Sequence, residues 1–453
     1  MAAGRLSAEE LMRVTLARIA AVNPSVNAIV SLRDEAELMA EARSVDAGPK
    51  LGPLHGLPVA IKDLADAKGL PTSMGSPSFA GQIAQSDSLH VARMRSAGAI
   101  IIGKTNTPEF GLGSHTYNPV HGATLNPYDP SVTCGGSSGG AAVALATGML
   151  SIADGSDMMG SLRNPAGWNN VYGMRPSWGR VPDTPEGDTF LHQLSTNGPM
   201  ARCPGDLALL LDVMSGPDPR QPGGLPKEAL GALRADVAGK RIGWLGDWGG
   251  ALPYADGILG LCEEALEVLR GLGCEVDVLP PPFPREKLWE SWITLRSWSV
   301  AAGLEPLMEN QQTRGQLKPE ALWEIERGLA LSAMEVHRAS VLRSEWYARA
   351  AELFERYDAL ALPTAQIWPF PVAQTWPRQV AGQEMDTYHR WMECVIPISL
   401  IGLPAVAVPA GFGMQGLPAG LQLAGRYGDD RGVLELAEAY HQAINWPNRR
   451  PPE

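Results

Sequence analysis

The residues most able to do chemistry lie between Thr133 and Pro165, in the stretch TCGGSSGGAAVALATGMLSIADGSDMMGSLRNP. Two glycine-serine loops flank a helix-compatible segment that ends near Gly148. In the first loop, Gly135 to Gly140, glycine permits positive φ and close backbone approach, and the chain then enters a helix whose first amides can face an anion. A phosphate cradle is excluded, because no Gly-Lys-Ser/Thr follows at the required spacing. Gly135, Ser137 and Gly139 satisfy G-x-S-x-G, the nucleophile elbow of an α/β-hydrolase, with His192, His337, His389 and His441 downstream as candidate bases. A third arrangement uses both loops and a lysine: Ser161 attacks a carbonyl, Ser137 relays its proton, and neutral Lys62 is the terminal base. A lysine can do this only if burial or neighbouring cations lower its pKa from about 10.4 toward roughly 7 to 8. Lys62 follows the apolar run LPVAI, which suits that requirement. The structural alternative is a flexible turn in which none of these hydroxyls reacts.

Placing such residues requires a scaffold, and the chain has one. LPVAIKD around Lys62, AIIIGKTN at 99–106 and RIGWLG at 241–246 are short strand candidates among helical stretches, an alternation that implies α/β architecture. Ser7 and Glu10 have capping-box spacing, and Met12, Leu16, Ile19 and Ala20 continue one helical face. Cys394 to Gly425 carries no charge and is long enough to cross a bilayer, but Pro397, Pro404, Pro409 and Pro418 divide it. Its pieces VIPISLIG, PAVAVPAG and LPAGLQLAG are expected as buried strands.

With 453 residues, 45% hydrophobic and 19% charged, the chain is a globular protein with a sizeable core. A net charge of −12 argues against nucleic acid as a partner. Glu9 and Glu10 interrupt any secretory signal. Five scattered cysteines, Cys134, Cys203, Cys262, Cys274 and Cys394, form no C-x-x-C pair and fit a reducing, cytoplasmic setting without a metal centre.

Longer segments carry a family resemblance. GPLHGLPVAIKD with Lys62, IIGKTNTPEFG, NPYDPSVTCGGSSGG with Ser137, GSDMMGSLRNPAG with Ser161, YGMRPSWGRVP, YDALALPT and GLPAVAVPAGF followed by GLPAGLQLAGR resemble the amidase signature family. The resemblance implies a single amidase signature domain over 1–453, an α/β fold with a large mixed sheet covered by helices on both faces. It implies a serine hydrolase that cleaves amide C–N bonds through an acyl-enzyme, with Ser161 as nucleophile, Ser137 as bridging serine after a cis Gly136–Ser137 peptide, and Lys62 as base. It makes Ser138 a hydrogen-bonding neighbour, places an oxyanion hole at the amides of Met158, Met159, Gly160 and Ser161, and gives Asp157 and Arg163 the bracing of that loop. Cys134, Gly135, Gly136, Met159 and Trp168 are the expected substrate-binding residues. No metal or organic cofactor is required, and the partner is a small-molecule amide or carbamate, met by a monomer or homodimer with no membrane span.

The sequence departs from the family pattern at Met159, where a glycine is usual, at Arg175, and at Trp168, Asn169 and Asn170. The Met159 side chain either narrows the acyl pocket or points into the core. Residues 220–390 match least. They form the variable, helical region expected to line the substrate funnel, and tryptophans 289, 292, 298, 323, 346, 368 and 376, with Trp391 at its edge, suggest apolar or aryl substrates. Carbamates and esters present a similar carbonyl, so urethanase-like activity is a related expectation. A glutamine-hydrolysing amidotransferase subunit working with a partner is the main alternative. The α/β-hydrolase using Ser137 and a histidine is the other, and a catalytically dead binding protein is disfavoured by the three triad positions.

Overall fold

The computed structural model describes residues 6–452. Strands β1 (Ile29–Val30), β2 (Pro58–Lys62) and β3 (Ile100–Thr105) form a small sheet in the order β1-β3-β2. A two-residue hairpin, β4 (Tyr117–Asn118) and β5 (Gly122–Ala123), follows. The main sheet takes β6 (Ile152–Asp157), β7 (Tyr172–Arg175), β8 (Thr196–Ala201), β9 (Arg241–Trp244), β10 (Glu275–Val278) and β11 (Ala359–Pro363). After a second small hairpin, β12 (Gln379–Val380) and β13 (Gln383–Glu384), it is completed by β14 (Ala405–Phe412) and β15 (Pro418–Ala424). Its order is β10-β9-β11-β15-β14-β7-β8-β6, parallel from β10 to β11 and antiparallel thereafter, so the sheet is mixed.

Side-chain alternation shows that both faces of this sheet are covered. Ala359, Ala361, Val406, Val408, Leu421 and Leu423 pack with helices Pro204–Met214, Ile258–Gly271 and Asp430–Ala443. Their neighbours Leu360, Leu362, Ala405 and Ala424 point the other way, into a cluster shared with helix Arg285–Leu304.

The strands expected around Lys62, at 99–106 and at 241–246 are present, as is the N-terminal helix Ala8–Val26 with its reciprocal Ser7–Glu10 cap. Met12, Leu16 and Ile19 are buried while Ala20 is exposed, so the buried stripe is narrower than the sequence suggests. Two further expectations are corrected. VIPISLIG is helical rather than a strand: a 3-10 turn, Arg390–Val395, runs into helix Ile396–Ser399. Pro397 lies in the first turn of that helix, where its missing N–H costs nothing, and a short apolar run does not distinguish helix from strand. Nor is 220–390 a purely helical region, because it contributes β9, β10 and β11 to the main sheet. Among the described residues no helix is long and apolar enough to cross a membrane.

Candidate active site

Lys62 is the last residue of β2, a strand buried at every position. Its side chain runs between the small sheet and β6 and ends among hydroxyls. Nζ lies 2.8 Å from Ser137 Oγ, 2.9 Å from Ser138 Oγ and 3.0 Å from Ser156 Oγ, with the Ser156 carbonyl at 3.3 Å. Among the described residues no carboxylate touches the amine directly. Lys62 is 1% exposed, and burial brings its pKa down to about 7, although the Asp154 and Asp157 carboxylates pull the other way. Near neutral pH the amine is therefore divided between its charged and neutral forms. The neutral form has two N–H donors and a lone pair that can take a serine proton.

Asp154 is the residue that fixes the backbone here. Its Oδ1 accepts the Lys62 amide at 2.9 Å, and Oδ2 lies 3.2 Å from His90 Nε2, with both side chains buried. On strand β6 Asp154 and Ser156 stand two residues apart and so share a face, which turns both toward Lys62. Sequence reasoning missed both; an Asp and a Ser inside the otherwise buried run IADGSD were the available signal.

The first loop reaches Ser137 through Gly135, at φ +82, where a Cβ would lie 2.6 Å from Asn164 Oδ1. Thr116 Oγ1 donates to the Gly135 carbonyl at 2.8 Å and Ser114 Oγ to that of Gly136 at 2.6 Å. The Gly136–Ser137 peptide is cis. Helix Gly139–Ala146 follows directly, but no strand precedes the loop. The strand-to-helix elbow is thus absent, and the partner of Ser137 Oγ is lysine rather than histidine. Of the candidate bases, His192 packs on Trp298, His441 lies 2.8 Å from the Tyr172 hydroxyl, His389 is enclosed by Trp289, Trp323 and Tyr388, and His337 is exposed.

The second loop hangs from Asp157. Oδ1 accepts the Gly160 amide at 2.8 Å and Oδ2 that of Leu162 at 3.2 Å. Arg163 grips the same carboxylate through Nε and Nη2, both at 3.0 Å, while Arg175 donates to the Asp157 carbonyl and, at 3.3 Å, to Oδ1. Burial pushes this carboxyl up, but the Arg163 and Arg175 guanidiniums outweigh it and hold Asp157 well below the usual carboxylate range. Arg175, a departure from the family pattern, thereby becomes a second brace. Of the four amides expected as oxyanion donors, that of Gly160 donates to Asp157 Oδ1.

Ser137, Ser156 and Ser161 open onto one cavity of about 290 Å³. Its other walls include Leu64, Met74, Phe110, Leu112, Met158, Met159 and Met392, with Arg296, Ser299, Val300 and Leu304 from helix Arg285–Leu304. Met159 therefore faces the cavity while also packing against the core. Cys134, Gly135, Gly136 and Trp168, expected as substrate-binding, are not in this lining. Trp168 is buried and stacked on Trp391, with ring centroids 5.7 Å apart, and burial pushes the Cys134 thiol up to about 12. The tryptophans of 220–390 are not in it either: Trp292 and Trp346 are core residues, and Trp323 faces solvent. The middle region reaches the cavity through one helix, and the charged group it brings, Arg296, carried no motif.

Residues 10–434 match the Amidase family model. An acylamidase of Rhodococcus erythropolis is 35% identical over 468 positions, covering all of this chain and 95% of that protein. A glutamyl-tRNA(Gln) amidotransferase subunit of Chloroflexus aurantiacus is 36% identical over 480 positions, covering all of this chain and 96% of its own length. A crystal structure of a bacterial aryl acylamidase of the amidase signature family superposes with a TM-score of 0.92 at 28% identity, covering all of this chain and 97% of that one. Together with the mixed sheet and the two loops it carries, these matches make the chain a member of the amidase signature family of hydrolases.

Proposed function

We propose that the protein is a serine amidohydrolase in which Ser161 is the nucleophile, Ser137 the proton relay and Lys62 the base. The observation that carries this is the 2.8 Å contact between a buried Lys62 amine, its pKa brought to about 7, and a serine that shares a cavity with Ser161. As Ser161 Oγ bonds to the carbonyl carbon, its proton passes to Ser137 and that of Ser137 to Lys62. The charge developing on the carbonyl oxygen meets the amides of Met158, Met159 and Ser161; such a donor is typically worth about 2.7–4 kcal/mol in the transition state. The relay then returns the proton to the departing amine, and water releases the acyl group by the same path in reverse.

The largely apolar cavity wall supports apolar or aryl amides, and the likeness to the acylamidases points the same way. Met159 in place of glycine supports a compact acyl group. Carbamates and esters can follow the same route, since each offers a carbonyl with a leaving group. The amidotransferase reading has the Chloroflexus relative behind it, but a free glutamine needs partners for both its charged termini, and Arg296 in this wall is already paired with Glu324 at 2.7 Å. We take the enzyme to work in the cytoplasm on small molecules, as a monomer or homodimer, in keeping with its free cysteines and acidic charge.

The test is hydrolysis of an aryl amide and an aryl carbamate of similar size that release the same aryl amine, with Ser161→Ala as the blank. Turnover that vanishes in Ser161→Ala is expected, and the ratio between the two substrates ranks amide against urethane chemistry. Full turnover in that variant overturns the assignment.

A further inference from the structure

Beyond the serine-lysine centre, the cavity wall holds a charged side chain that the reaction leaves without a task. Arg296 is 3% exposed, and its guanidinium is unevenly satisfied. Nε donates to Glu324 Oε1 at 2.7 Å and Nη2 to the Tyr388 hydroxyl at 2.7 Å, whereas the contact of Nη1 is the Met158 sulfur at 3.2 Å. Glu324 is saturated by its neighbours: Oε1 also accepts the Tyr388 hydroxyl at 2.8 Å, and Oε2 accepts Ser297 Oγ at 2.6 Å. A thioether is a weak acceptor, so a strong, charged donor is poorly matched at the edge of a largely apolar cavity. Met158 also belongs to the loop that carries Ser161, which puts this edge of the guanidinium beside the reacting region.

We infer that the Nη1 edge of Arg296 is a substrate subsite that binds a neutral oxygen acceptor, a carbonyl or ether oxygen, in place of the Met158 sulfur. This rests on the reading that the cavity holds the substrate. The oxygen is neutral because the Arg296 charge is already balanced by Glu324. A carboxylate would enter among Phe110, Leu112, Val300 and Leu304, beside a guanidinium whose charge Glu324 already offsets. The substrate class is then an amide or carbamate with a second oxygen near the scissile carbonyl, in its acyl or its amine portion. A site built to donate to such an oxygen discriminates against the analogue that lacks it.

The experiment uses two matched pairs of aryl amides. In one pair an acyl-chain ketone replaces a methylene, in the other an ether oxygen replaces a methylene on the aryl amine, and a carboxylate analogue completes the series. Wild type is compared with Arg296→Lys, which keeps a cation beside Glu324 but withdraws the Nη1 edge, and with Arg296→Met/Glu324→Gln, which removes both charges together. In wild type kcat/KM should favour the oxygen-bearing member of at least one pair by about tenfold or more, mainly through KM, and fall to within about twofold in both variants. If the double variant does not fold, as judged by thermal melting, Arg296→Lys decides. Absence of an oxygen preference in wild type, a preference that survives Arg296→Lys, or a carboxylate analogue that outperforms the ketone and the ether overturns the subsite. Turnover that survives Ser161→Ala overturns the underlying reaction instead, so the two failures are separable.

Discussion

Replacing Asp154 with Asn isolates one electrostatic contribution to Lys62, the proposed base. The amide side chain keeps an oxygen for the Lys62 N–H and can donate to His90 Nε2, so the geometry survives while a negative charge leaves. Asp154 holds the Lys62 backbone, and an extended lysine side chain puts Nζ on the order of 6–8 Å from that carboxylate. At an effective dielectric near 20, the attraction to the ammonium form is about 2 kcal/mol, equivalent to about 1.5 pH units. The sign follows from the charges: the anion favours protonated lysine, so removing it lowers the pKa of the amine. In wild type, kcat/KM for an aryl amide should fall tenfold per pH unit below about 7, the titration point of Lys62. In Asp154→Asn that acid limb should move about 1.5 pH units lower. The plateau above it should also be lower, because a less basic amine is a weaker proton acceptor. An unmoved limb, or one displaced to higher pH, refutes the reasoning. A second readout has its own sign. With Lys62 titrating near 7 when folded and at 10.5 as a model amine, the native state holds fewer protons between those values. The contribution of this group to stability is therefore at its minimum below pH 7 and rises by about 5 kcal/mol toward pH 10.5, measurable in urea titrations across that range.

Ser137→Ala should lower kcat by about 10²–10⁴ without unfolding the protein, and an unchanged rate by single-turnover kinetics would remove the relay. Met159→Gly should open the acyl side of the cavity, raising kcat/KM for bulkier acyl groups by about tenfold or more while lowering Tm; loss of activity on every acyl size would contradict that placement. Asp157→Asn leaves two buried guanidiniums without their carboxylate and should cost about 3–5 kcal/mol in urea unfolding, and wild-type stability would show that Arg163 and Arg175 do not depend on it.

The sequence made the residues of the proposed relay legible because chemistry of this kind is written locally. Lys62 closes an apolar strand, and Ser137 and Ser161 sit in glycine-rich loops whose backbone needs, such as φ +82 at Gly135 and φ +80 at Gly160, leave a mark on composition. The α/β alternation was equally local, since strand and helix differ in the period of their apolar residues. What misled was long-range. VIPISLIG has no period that separates a buried helix from a buried strand. The tryptophans of 220–390 looked like a funnel because aromatic content says nothing about which way a ring points.

By itself the sequence determined the element types around Lys62 and the two loops, because local backbone preference and side-chain periodicity are properties of neighbouring residues. The tertiary structure decided which of those residues meet. The pKa of Lys62 depends on burial between two sheets and on Asp154 and Asp157, more than ninety residues away in the chain, and Arg296 meets Met158 across 138 residues. The Gly160 amide donates to Asp157, a carboxylate held in place by Arg163 and by Arg175 on β7. Desolvation and charge pairing are set by what surrounds a group in space, and that neighbourhood exists only once the sheets have closed.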